Sequence, residues 1–115
     1  MANTFKVVTK AGVTSADVIY TVAGSTTTIV LGLIIGNTTS SSVNATVTLG
    51  TDTSNRAGAN NESNQDVEIL TTSPVPGNSS LEVISGNKIV METTDTLSVT
   101  GSGAVDVVLS IMEIT

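Results

Sequence analysis

Short apolar runs alternate with hydroxyl-bearing or charged residues along the whole chain, and turn residues break them about every 8 to 12 positions. That spacing predicts a sandwich or barrel of short strands. About eight strands are expected, over residues 5–9, 17–22, 26–35, 43–49, 66–70, 81–85, 88–92 with a continuation at 96–100, and 104–114. No window carries apolar residues at helical spacing without a Gly, Pro or Thr cluster interrupting it, so helix content should be negligible. The pattern predicts a single all-β domain over residues 1–115, an antiparallel β-sandwich of jelly-roll-like or Ig-like type.

Turn chemistry sharpens the expectation. Gly86-Asn87 between two apolar runs reads as a two-residue hairpin, because both residues tolerate positive φ, and the flanking strands should then pair antiparallel. Ser73-Pro74-Val75-Pro76-Gly77-Asn78 is a connection or an edge, since proline removes a ladder N–H and restricts the residue before it. The polar stretch 51–65 is either a surface loop or an arm that orders against a neighbouring subunit, and it includes Arg56.

Two strands are apolar on both alternating sets of side chains. In residues 105–114, Val105, Val107, Leu109 and Ile111 form one face while Val108, Met112 and Ile114 form the other; residues 29–35 behave alike. A lone two-layer sandwich buries one face only, so the second is covered by a loop or by other copies of the chain. The interface candidates are Val105, Val107 and Leu109 or their alternate-face partners Val108 and Met112, together with Arg56 in the polar arm. A register shift of one residue exchanges the two sets.

Composition narrows the picture. The chain has 115 residues, 39% of them apolar, with Phe5 and Tyr20 as the only aromatics, so the core is aliphatic. Ser and Thr make up roughly 30%, against 12% charged residues, so hydroxyls stand in for surface charge. Threonine and valine are stiff at χ1 and suit a pleated strand. The net charge of −6 opposes binding to phosphate backbones, so nucleic acid is not an expected partner. Residues 1–12 lack the apolar stretch of a secretory signal, and the longest apolar run, 29–35, is too short for a membrane-spanning helix, so a soluble protein with no membrane partner is expected.

Candidate chemistry is thin. Cysteine and histidine are both absent, which removes disulfides, thiolate nucleophiles and the usual general bases. A Ser-Lys dyad using Lys88 would be coincidental among so many hydroxyls. Asp66 and Glu68 share one strand face at i and i+2, and a solvated outer face explains them better than a glycosidase pair. Thr51-Asp52-Thr53-Ser54-Asn55 has too few carboxylates for a calcium loop. Four acceptor patterns for N-glycosylation, beginning at Asn37, Asn44, Asn61 and Asn78, follow from composition without a secretory signal. Gly101-Ser102-Gly103 precedes a strand rather than a helix, so it is a turn and not a phosphate cradle. No catalytic residue, cofactor or metal is expected.

Several segments together carry a resemblance: Met1-Ala2-Asn3-Thr4-Phe5, Ile19-Tyr20-Thr21-Val22, residues 31–37, Pro76-Gly77-Asn78-Ser79-Ser80-Leu81-Glu82-Val83, Asp95-Thr96-Leu97-Ser98-Val99 and Leu109-Ser110-Ile111-Met112-Glu113-Ile114. The chain resembles small β-sandwich virion structural proteins of tailed phages, cyanophages in particular, and among them capsid decoration (cement) proteins. The resemblance implies a non-enzymatic virion component, assembled in the bacterial host cytoplasm. It implies many copies, a trimer being favoured, and contacts with the major capsid protein or with neck and tail proteins. A neck, collar, fibre or baseplate role and a host-surface or glycan-binding module stay open beside it, although two aromatics offer little to a sugar platform.

Overall fold

A computed structural model describes residues 2–51 and 65–115. Among them there is no helix, and the chain forms eight strands: β1 (Asn3–Val13), β2 (Asp17–Thr21), β3 (Thr27–Asn37), β4 (Val43–Thr51), β5 (Gln65–Val75), β6 (Ser79–Met91), β7 (Thr96–Gly101) and β8 (Val105–Ile114). They build two four-stranded antiparallel sheets, ordered β1-β8-β3-β6 and β2-β7-β4-β5. Strands pair from the outside of the sequence inward, β1 with β8, β2 with β7, β3 with β6 and β4 with β5. The chain is therefore one long hairpin rolled up until β8 also meets β3 and β7 meets β4. This is the jelly roll and not the Ig-like alternative.

The inner faces enclose an aliphatic core. Val30, Leu33, Ile35, Leu109 and Ile111 from one sheet meet Val47, Leu97 and Val99 from the other, with Met91 filling in beside them. Strand β3 keeps this face inward despite its run of apolar residues because the register shifts between Val30 and Gly32: Thr28 and Val30 are buried before the shift, and Leu33 and Ile35 after it. One inserted residue reverses the alternation.

The Gly86-Asn87 expectation is corrected. These residues lie inside the continuous strand β6, where Val30 pairs with Ile89 and Gly32 with Ser85, so the stretch bulges out instead of turning back. Gly86 has φ 86°, the left-handed backbone that a hairpin and a bulge both demand, which is why the dipeptide alone does not separate them. The true break falls after Met91, and residues 96–100 are not a continuation of β6 but belong to the opposite sheet. Pro74 lies on edge strand β5, where a missing outward N–H is tolerated. The polar arm itself, including Arg56 and residues 52–64, lies outside the described residues. At its base Thr51 pairs with Gln65, and the Thr51 hydroxyl donates to the Gln65 carbonyl at 2.8 Å.

Corners between sheets are tied by short polar side chains. The buried Asp95 carboxylate accepts the Glu92 N–H at 2.9 Å. In the same corner Val22 N–H donates to Asp95 O, and Thr94 N–H to Val22 O, each at 3.0 Å. At another corner Asn37 is buried with both halves of its amide engaged: Nδ2 donates to Ser41 O (2.7 Å) and Val75 O (2.9 Å), and Oδ1 accepts from Thr39 N–H (2.9 Å) and the Thr39 hydroxyl (2.7 Å). A Cβ on Gly77 would collide with the Ser40 backbone there, so only glycine allows the two connections to pack.

Candidate interaction surface

The outer faces of the two sheets differ in chemistry. On the β2-β7-β4-β5 sheet, cross-strand rows run Val18, Ser98, Thr48, Glu68 and Thr21, Thr96, Gly50, Asp66, with Thr46 beside Thr100. Hydroxyls and carboxylates dominate. Asp66 and Glu68 are both exposed, and the Thr71 hydroxyl donates to Glu68 at 2.6 Å. A solvated face accounts for both carboxylates.

The outer face of the β1-β8-β3-β6 sheet carries an apolar row that crosses all four strands. One row runs Phe5, Met112, Ile29, Val90. On one side of it lies Asn3, Ile114, Thr27; on the other, Val7, Ser110, Gly32, Ser85; and beyond that Thr9, Val108, Ile34, Glu82. The first three of these rows contain no charged residue. Phe5 is 71% exposed, Val90 56% and Val108 40%. Single exposed apolar side chains are ordinary, whereas an exposed apolar row running across four strands with uncharged rows on either side marks a candidate contact surface.

Each residue singled out from the sequence can now be placed. Val105, Val107 and Leu109 are buried between the sheets, packed in the core, so they are not available as an outer interface. Val108 and Met112 point the other way, onto the apolar outer face. Arg56 lies outside the described residues. Phe5, Val7, Ile29, Ile34 and Val90 were not singled out, yet they complete the face. The signal for β1 was present in Phe5-Lys6-Val7, where apolar residues alternate with a lysine. For Ile29 and Ile34 the intervening register shift hid the alternation.

A second polar cluster links the two sheets. The Tyr20 hydroxyl from β2 donates to Glu113 Oε2 at 2.6 Å and stands 2.7 Å from the Thr28 hydroxyl, while Lys6 Nζ pairs with Glu113 Oε1 at 2.7 Å. Burial, then the Glu113 hydrogen bond, pushes Tyr20 from 10.0 up to about 12. The Lys6 hydrogen bond, then that from Tyr20, holds Glu113 below its ordinary value. Both groups move away from neutrality, opposite to what general acid-base catalysis uses, so the cluster ties the sheets together.

The tie has a pH signature. A tyrosine whose folded pKa lies above its unfolded one contributes stability in full below pH 10, and loses it as pH rises through about 12. Glu113 has the opposite sign: its contribution is present above the usual carboxylate range and is lost as pH falls through its lowered folded value. Since Tyr20 is the only tyrosine, tyrosinate absorbance reads it directly. The folded protein should titrate with a midpoint near 12 and the urea-unfolded chain near 10. Equal midpoints in the two states would remove the tie.

Among the described residues no group of three acidic, histidine or cysteine side chains could hold a metal ion. No protein-family model matches the chain. No curated protein is similar to it in sequence. Among solved structures, it is similar to a chain from Bacillus endospore appendages, described as a novel family of disulfide-linked pili. That similarity has a TM-score of 0.49 at 13% identity and covers 99% of this chain and 87% of that one.

Proposed function

We propose that this protein is a non-enzymatic structural component of a tailed-phage virion, a homo-oligomeric decoration protein that lies on the head shell and strengthens it. The observation that carries the reading is the apolar row Phe5, Met112, Ile29, Val90 across the β1-β8-β3-β6 sheet, flanked by uncharged rows and set opposite a hydroxyl and carboxylate face on the other sheet. A two-faced slab of this kind suits a coat, with the apolar side against other protein and the hydroxyl side in water. The resemblance to decoration proteins in residues such as 76–83 and 109–114 supports the same reading. Each buried apolar Å² adds roughly 25 cal/mol before association costs, so many copies can stiffen a shell through modest individual contacts.

The test is gold-labelled antibody on intact particles of the source virus. Label spread over the heads, with heat resistance lost when the protein is stripped, is the expected result. Label confined to neck or tail would move the protein to an appendage role, and particles without label would end the virion reading.

A further inference from the structure

Among the described residues four strand edges are open, β1 and β6 in one sheet and β2 and β5 in the other. An open edge presents unpaired N–H and C=O groups that another extended strand can satisfy, and natural sheets guard such edges with bulges, prolines, charged side chains (lysine above all) or brevity. Three edges here are guarded. β2 has only five residues and a register shift, β5 has two shifts and Pro74, and β6 has two shifts and the Gly86 bulge. β1 has one shift as well, between Lys10 and Val13 at Gly12, but it falls at the end of the strand, and before it the register with β8 runs unbroken over eight residues, from Asn3 opposite Ile114 to Lys10 opposite Val107.

The hydrogen-bond phase of β1 follows from its first pair. Ala2 N–H donates to Thr115 O at 3.1 Å and Thr115 N–H to Ala2 O at 2.9 Å, so these two residues exchange both bonds. Antiparallel pairs alternate between exchanging and non-exchanging, so Thr4, Lys6, Val8 and Lys10 bond to β8. The N–H and C=O groups of Asn3, Phe5, Val7 and Thr9 therefore point away from β8 into the open edge, and no other strand among the described residues pairs with them. The side chains of these four residues are uncharged and lie on the apolar outer face. Lys6 and Lys10 belong to the opposite side of the strand and are ion-paired, with Glu113 at 2.7 Å and Asp17 at 3.3 Å. The edge can thus meet a copy of itself without like charges confronting each other.

We infer that β1 pairs antiparallel with β1 of a second copy about a two-fold axis, joining two four-stranded sheets into one of eight. A two-fold interface requires a self-complementary surface, and an uncharged, unbroken strand edge is one. The outward groups belong to odd-numbered residues in both copies, so odd residues hydrogen-bond to odd. This places Phe5 and Val7 of both copies on one face and carries the apolar surface across the junction. The inference rests on the reading of the chain as a self-associating module. It departs from the trimer that the resemblance implies.

The experiment is sedimentation of the full chain over a range of concentrations, with residue-resolved amide exchange on the same samples. The expected result is a mass of two copies at high concentration and slowed exchange at Phe5, Val7 and Thr9 as association proceeds. Val7→Pro removes an N–H that β8 does not use, at an edge position where proline is tolerated. Because the axis doubles the loss, it should weaken association by about tenfold or more, while circular dichroism reports an unchanged fold. If Val7→Pro unfolds the chain, the amide exchange of the unmodified protein decides alone. A single-copy or three-copy mass at every concentration overturns the inference. So does a two-copy mass in which those amides exchange as fast as in the dilute protein, or a two-copy mass that Val7→Pro leaves intact. The last two outcomes leave self-association standing through another surface, and the virion reading is decided separately by label on particles.

Discussion

Leu109→Ala lowers the folding free energy by roughly 3 kcal/mol, whereas Val108→Ala, one residue away, changes it by about 0.5 kcal/mol or less. Leu109 is wholly buried between the sheets and Val108 lies on the outer face, so removing the three carbons beyond Cβ leaves a cavity at Leu109, while removing the two at Val108 only trims a surface. Urea unfolding of the two variants, followed by circular dichroism, makes the comparison. Similar losses for both would mean that the outer face is already buried against something in the sample. Larger loss for Val108→Ala would reverse the assignment of faces.

Asn37→Asp is expected to destabilise by roughly 3 kcal/mol or more at neutral pH, although the two side chains have nearly the same shape. The amide Nδ2 donates to two backbone carbonyls, Ser41 O and Val75 O. An aspartate oxygen in that place would face both carbonyls with no proton to offer, inside a site that excludes water. Asn37→Ala removes the same bonds without adding charge and should lose less, roughly 2 kcal/mol. The ordering of the three proteins in urea is the measurement. If Asn37→Asp proved as stable as the unmodified chain, the amide would not be the clamp between the turn at residues 38–42 and β5.

Much of the fold was legible in the sequence because strand formation here is driven by locally visible chemistry: β-branched residues, period-two alternation and turn residues at regular spacing. Pairing was not legible, since β1 finds β8 across roughly a hundred residues and no local pattern records the partner. Local ambiguity had a physical source in each case. Gly86 supplies positive φ to a bulge as readily as to a hairpin. The run at residues 29–35 looked two-faced partly because the shift at Gly32 exchanges inward and outward positions midway. Val105, Val107 and Leu109 could be separated from Val108 and Met112 as alternating sets, but which set faces the core is decided by the opposing sheet.

The polar residues were harder to interpret. Abundant hydroxyls suggested an uncharged surface, and on the β2-β7-β4-β5 sheet they form one. Many serve another purpose as well. Thr93 bonds both the Thr26 carbonyl and N–H, the Thr46 hydroxyl accepts the Thr72 N–H, and the Ser102 hydroxyl accepts the Asn44 N–H. In a fold of tight corners, short hydroxyl side chains satisfy backbone groups that no ladder reaches. Asn37 looked like part of a composition-driven acceptor pattern for the same reason.

The pairing of β1 with β8 also bears on the order of events during synthesis. At roughly 5 to 20 residues per second, β1 leaves the ribosome on the order of 5 to 20 seconds before its partner exists. During that interval Phe5 and Val7 are exposed on an unpaired strand, and neither Glu113 nor the rest of β8 has yet been made to engage Lys6. The unneutralised charge of Lys6 then acts as a gatekeeper against premature strand pairing between nascent chains, whereas Lys10 has its partner Asp17 only seven residues on. Once β8 arrives and Glu113 engages Lys6, that protection is withdrawn and the edge becomes sticky. The timing of assembly is thereby coupled to the completion of folding.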